Sequence, residues 1–361
     1  MENPISKFGN KSILLCEDDK VALDYENILN IHYPHKKICY FPAHDSLPFS
    51  SESSSSDILL DRSEKLQTLT HNDIIIITCN NLLKKFQINK DADHFLTLTK
   101  NQTIEANTIL EKLVEFNHSN QANAYNKLEF SLRGDILDIY NSNNNPYRIS
   151  FFDNVIETIK EFNPQTQLTF KDEKERIDIF NPNIELLEPS NKDSYFEDIV
   201  MGYSIYTINR SDIILKEKLN FLKTIFDQVQ PEIPFSNYYL EDNKIKNFKF
   251  TNILSSSPKS LKITSNTSLD EFSKMSNKIY FHSGKNSSAI ENEFLQKKNI
   301  EPNYGNNLYF YKSVISKDYL FDGVVHLNKN THTTKKTNLD TIINFNDLSL
   351  GDAVVHQKHG I

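Results

Sequence analysis

The chain has 361 residues, enough for two or three domains with cores of their own, and with 38% hydrophobic and 24% charged residues it has the composition of a globular protein, not a disordered one. Its 40 Lys and Arg against 48 Asp and Glu give a net charge of −8, which opposes tight sequence-independent attachment to phosphate backbones, so DNA binding is expected to be weak or absent. Cys16, Cys39 and Cys79 stand alone without CxxC spacing, which excludes a zinc or disulfide framework and suits a reducing cytoplasm, and apolar runs such as Ile74–Ile77 are strand-length, too short for a membrane span.

Residues 1–102 alternate buried strand patterns (Ile13–Cys16, Lys37–Phe41, Asp73–Thr78) with helical ones (Val21–Leu29, Ser56–Leu69), which predicts crossover connections and a parallel α/β domain. A phosphate site in such a fold follows the first strand on glycines whose amides open the next helix. Here the turn is Glu17-Asp18-Asp19, whose carboxylates would repel a phosphate and serve better as helix caps. Elsewhere the GxxxxGK[ST] pattern is approached only at Gly284-Lys285, where Asn286 follows and Ile279 occupies the first glycine position. No cofactor is expected in this chain.

Thr103–Phe116 carries Ala106, Ile109, Leu110 and Leu113 on one face, an amphipathic helix. It leads into a β-meander with period-2 alternation through Phe130 and Leu132, Ile136–Tyr140, and Tyr147, Ile149 and Phe151. Gly134 in Arg133-Gly134-Asp135 permits a positive φ, residues 141–146 form a loop, and Asp153-Asn154 suits a two-residue hairpin. The meander is expected to extend through Thr166–Phe170 and Arg176–Phe180, making 103–183 an independent α+β domain. Arg133 and Arg148 fall beside or within its strands, close to Phe152. Arginine beside an exposed aromatic is a common protein-binding composition, although solvated sheet arginines fit the same pattern.

Residues 184–257 are harder to read, beyond a helix over Asp212–Phe226. A small α/β domain is expected over 258–328, with strands at Ile279–His282, Leu308–Tyr311 and Val324–Leu327 and a helix over Ser288–Lys297. A polar linker over 329–345 follows, and then a strand opening in VVHQKHGI. His356 and His359 have no third ligand at useful spacing, so no metal site is expected. GxSxG and HExxH are both absent, which leaves a hydrolase without support.

LEFSLRG, ending at Gly134, and PYRISFFD, ending at Asp153, resemble the G-E-F-x-x-R-G and P-Y-R-x-x-F-F-D stretches of the UvrB-like domain in the bacterial transcription-repair coupling factors, the Mfd family. FPAHDSLPFSSESSSSDILLDRSEKLQTL upstream and LSLGDAVVHQKHGI downstream are similar to further stretches of that family, in the same order. The resemblance implies a first domain like a motor lobe that has lost its nucleotide loop, with 184–257 as a shortened second lobe of it. It implies a second domain that binds the excision-repair protein UvrA through Arg133, Arg148 and Phe152. Where the family often has an acidic residue this chain has Ser150, which alters the charge beside Arg148. By the same resemblance, 346–361 would be the truncated start of an RNA-polymerase-interacting barrel. ATP and Mg, the DNA-translocating ATPase activity that is the alternative reading, and RNA polymerase binding would all belong to a longer parent. A chain ending there would lack the C-terminal cover of the family and present an open UvrA surface in the cytoplasm.

Overall fold

The computed structural model describes residues 8–9, 11–46, 48–49, 54–141, 146–186, 192–208, 211–253, 278–284, 308–321 and 324–328. The expected helix over Ser288–Lys297, the linker over 329–345, the strand in 346–361 and the histidines 356 and 359 lie outside the described residues.

The sequence SILLC forms β1 (Ser12–Cys16) and IIIIT forms β3 (Ile74–Thr78), and every residue of both is buried. Unbroken apolar runs of this kind suit strands covered on both faces. Between them come α1 (Asp19–His32), β2 (Ile38–Tyr40) and α2 (Ser56–Leu66). After β3 the chain makes a short α3 (Cys79–Leu83) and β4 (Gln87–Ile88), then leaves this unit and returns near residue 185. The returning chain runs through β13 (Glu185–Leu186), α5 (Tyr195–Val200), β14 (Ser204–Ile208), α6 (Ser211–Val229), α7 (Phe235–Tyr238), α8 (Asp242–Ile245) and β15 (Phe250–Ile253). The resulting sheet is parallel, in the order β15-β14-β1-β3-β2. Ile13, Leu15, Ile75 and Ile77 pack on α6 through Leu215 and Leu219, while Leu14, Ile74 and Ile76 on the opposite face pack on Val21, Tyr25, Ile28 and Leu29 of α1.

Between β4 and β13 the chain forms the second unit: β5 (Phe95–Thr99), α4 (Ala106–Glu115), β6 (Ser119–Asn120), β7 (Glu129–Arg133), β8 (Ile136–Tyr140), β9 (Tyr147–Phe152), β10 (Val155–Phe162), β11 (Thr169–Glu173) and β12 (Arg176–Phe180). Six of these strands make a sheet in the order β11-β10-β9-β8-β7-β6, with its inner face on Ile109 and Leu113 of α4. Two antiparallel ribbons, β4·β13 and β5·β12, carry the chain in and out.

The architecture is thus mixed α/β and multidomain, with a parallel first sheet and antiparallel sheets after it, and it corrects three expectations. Residues 1–102 do not close a domain, because two strands of their sheet come from beyond residue 200. Phe95–Thr99 belongs to the second unit, so the boundary lies near residue 95 and not at 102. Arg176–Phe180 does not prolong the meander but turns back onto β5, where Ile177 and Ile179 join Leu98 in the core. The third sheet, in the order β17-β16-β19-β18, is built from β16 (Ile279–Ser283), β17 (Leu308–Lys312), β18 (Tyr319–Phe321) and β19 (Val324–Asn328). It abuts α1, where the Tyr319 hydroxyl donates to Asp24 at 2.6 Å.

Candidate partner-binding face

The site is built by two tight hairpins. Gly134 begins the β7–β8 turn at φ 58° and Asp153 begins the β9–β10 turn at φ 51°. A positive φ at the first central residue gives a turn whose twist matches the strands, and glycine or aspartate tolerates it best. The resulting register sets Asp138 opposite Ser131 on one side and Arg148 on the other. Since side chains alternate along a strand, Leu137, Ile139, Ile149 and Phe151 point to the α4 core. Arg133, Ile136, Asp138, Arg148, Ser150 and Phe152 therefore share the outer face.

On that face one carboxylate holds both arginines. Asp138, with no exposed surface, accepts from Arg133 Nη2 at 2.5 Å and from Arg148 Nε and Nη2 at 2.6 and 2.8 Å. Arg148 also donates from Nη1 to the Gln167 carbonyl at 3.0 Å, and its guanidinium lies 4.7 Å from the centre of the Phe162 ring. The Asp138 carboxylate beside it holds the Arg148 guanidinium further above its ordinary range. Arg133 Nη1 donates to Asn123 Oδ1. The side chain of Arg148 is 20% exposed and that of Arg133 43% exposed. Phe152 is 71% exposed, and Ile136, diagonal to it across the β8–β9 pair, is 39% exposed. Ser150, between Arg148 and Phe152 on this face, shares a 2.6 Å hydrogen bond with Thr158 on β10. No carboxylate replaces it there.

The three residues singled out from the sequence therefore lie on one face but in different states. Phe152 stands free, Arg133 is anchored at its tip with its flank open, and Arg148 is turned into the sheet. Asp138 escaped the sequence reading. Its signal was an acidic residue at the outward position of the otherwise apolar ILDIY, between two strands that each carry an arginine. Such a face can take an apolar surface against Phe152 and Ile136 while Arg133 meets an acceptor at the rim.

At the carboxyl end of β1 in the parallel sheet, the acidic turn is used internally. Asp18 Oδ1 accepts from the Val21 amide at 2.7 Å as the N-cap of α1, and Tyr40 donates to the buried Asp19. Burial pushes the Asp19 carboxyl above its usual range, against the hydrogen bond from Tyr40, which lowers it. Among the described residues no group of three or more His, Cys, Asp or Glu side chains is arranged to hold a metal ion, and no helix is long and apolar enough to cross a membrane.

Residues 96–186 match the family model of the UvrB interaction domain, so the unit between the two ribbons is the matched unit. The chain is similar to a protein of Rickettsia conorii named transcription-repair-coupling factor, with 32% identity over 172 residues, 46% of this chain and 15% of that protein. A Rickettsia bellii protein of the same name is 29% identical over 212 residues, 57% of this chain and 18% of that protein. The Rickettsia prowazekii protein of that name is 23% identical over an alignment of 458 positions that takes in 100% of this chain and 40% of that protein. The chain thus spans well under half the length of the relatives it matches.

Proposed function

We propose that this chain, whose whole length is similar to the N-terminal region of the transcription-repair-coupling factors and which contains a UvrB interaction domain, is the part of such a factor that recruits UvrA. In this reading the longer protein delivers UvrA to RNA polymerase stalled at damaged DNA, and this part contributes binding, not catalysis. Nor does it carry a nucleotide site. Asp18 already satisfies the α1 amide that a phosphate would use, and Glu17 and Asp19 add charge of the same sign as a phosphate.

The observation that supports the reading best is Phe152, an aromatic side chain 71% exposed at a hairpin end, with Arg133 anchored on the same face of the matched domain. An exposed phenylalanine has an unfavourable contact with water that an apolar recess on a partner removes. Truncating a central aromatic or arginine anchor usually weakens binding by about 2 kcal/mol or more. Calorimetric titration of UvrA into the chain should therefore show at least about a tenfold loss of affinity for Phe152→Ala, and a comparable loss for Arg133→Ala. Unchanged affinity in both variants would rule out this face. Arg148→Ala is the poorer probe, because it strips a bidentate partner from the buried Asp138 and disturbs the sheet itself.

A further inference from the structure

We propose that Asp138 is the positioning residue of this face, holding the Arg133 guanidinium in the attitude in which it meets a carboxylate of the partner. The inference rests on the docking reading above. Asp138 has no exposed surface, so it touches no partner, and any influence it has on binding passes through the groups it holds. It holds two cations from neighbouring strands on one carboxylate, which leaves the cluster with one positive charge in excess. Arg148 takes the geometry a β-sheet pair dictates, directly across the strand, and returns two of the three bonds. Arg133 comes from the hairpin end and is held from both sides, by Asp138 on Nη2 and Asn123 on Nη1.

Without the carboxylate, Arg133 would keep one neutral contact and face the like charge of Arg148. Its guanidinium would then swing into solvent, and binding would bear the loss of rotamer freedom that Asp138 removes in advance. An arginine fixed at its tip, with an open flank beside Phe152 and Ile136, fits a partner surface with an apolar recess rimmed by an acidic side chain.

The test uses the full chain with Asp138→Asn, Arg133→Ala and the double variant, titrated with UvrA after circular dichroism shows each to be folded. Asparagine keeps the shape but removes the charge and turns an N–H toward a guanidinium. The expected result is about a tenfold loss for Asp138→Asn and no loss beyond that of Arg133→Ala in the double variant, the non-additivity of residues that act as a unit. Combined with Phe152→Ala, the same change should add in full. Unchanged affinity for Asp138→Asn, or a loss that adds to that of Arg133→Ala, would overturn the assignment. If Asp138→Asn does not fold, Asp138→Glu keeps the charge and displaces Arg133, and the same pattern is expected of it. A second readout is independent of UvrA. The guanidinium 15N signal of Arg133 should show restricted rotation in the wild type and free rotation in the Asp138 variant. If the wild type binds no UvrA, the docking reading fails while this signal still decides the role of Asp138, and an unchanged Arg133 signal would overturn it.

Discussion

Arg62 shows how a single residue can join two distant parts of this chain. Its guanidinium has no exposed surface, yet it is fully engaged: Nε and Nη2 donate to the two oxygens of Glu185 at 2.7 and 2.6 Å, Nη1 donates to Asn81 and to the Pro42 carbonyl, and the Phe41 ring centre lies 4.2 Å away. Burial alone would raise the Glu185 carboxyl, but the charge of Arg62 and the hydrogen bond from His44 outweigh it and hold the group at about 2. Burial pushes His44 down to about 4, so at neutral pH it is an uncharged imidazole that donates from Nε2 to Glu185 and accepts at Nδ1 from Ser54. A depressed carboxyl stabilises the fold above the ordinary carboxylate range and loses that contribution as pH falls toward 2. Glu185→Gln, which leaves the guanidinium buried and unneutralised, should lower stability by about 3–5 kcal/mol at pH 7. Urea unfolding followed by circular dichroism measures it, and a loss below about 1 kcal/mol would contradict the pairing shown here. Since Glu185 sits at the exit of the inserted unit and Arg62 on α2, the pair fastens that exit to the first sheet.

Among the elements, α1 and the third sheet meet through a row of histidines. His32 Nε2 lies 3.0 Å from His326 Nε2, His326 Nδ1 lies 2.8 Å from His282 Nε2, and His282 Nδ1 lies 2.6 Å from Ser313 Oγ. Each contact needs one donor and one acceptor, which neutral rings provide in a single direction along the row. Burial, with the neighbouring imidazoles and, for His32, Lys278 adding to it, pushes His32 and His282 down to about 4 and His326 down to about 2. These rings therefore stay neutral in the fold while their unfolded counterparts take up protons below about 6.5. The unfolded state binds more protons in that window, so stability falls as pH drops from 6.5 toward 4. His326→Gln removes the most depressed of the three, and the difference in melting temperature between pH 7.5 and pH 5 should shrink relative to the wild type. An identical pH slope in both proteins would show that the row does not govern it. The buried His44 and His118 are common to both proteins and cancel in that comparison.

At the scale of the whole molecule, one unit is inserted into another. Every buried side chain of the second core lies between Leu98 and Ile179, so the inserted unit has a core independent of the first sheet. Asn141 ties its far ribbon to the meander, accepting from the Phe180 amide at 2.6 Å and donating to the Phe180 carbonyl at 2.8 Å. A fragment of residues 92–183 should fold cooperatively in isolation and bind UvrA as the full chain does. A fragment of 103–183 should be clearly weaker in thermal unfolding, because β12 loses its only strand partner among the described residues and Leu98 leaves the core. Residues 1–102 alone should not fold, since β1 would lose β14 and half of the edge-to-edge pairing of its sheet. Equal stability of the two longer fragments would refute the neck as described.

The sequence by itself determined the local elements and the identity of the outer face. Period-2 alternation, the glycine after Arg133 and the Asp153-Asn154 pair depend only on neighbours in the chain, and the strands over 129–152 lie where those signals put them. Unbroken apolar runs likewise marked β1 and β3 as covered on both faces. Tertiary structure alone decided which strand pairs with which at long range: that β14 lies beside β1, that β12 returns to β5, and that Arg62 meets Glu185 across 123 positions. It also decided that Arg148 faces inward while Phe152, four residues on and of the same parity, faces water. The reason is physical. Alternation tells a strand which residues share a face, but whether a position on that face is open depends on what covers it, and here the cover over Arg148 comes from Asp138, Phe162 and the Gln167 turn.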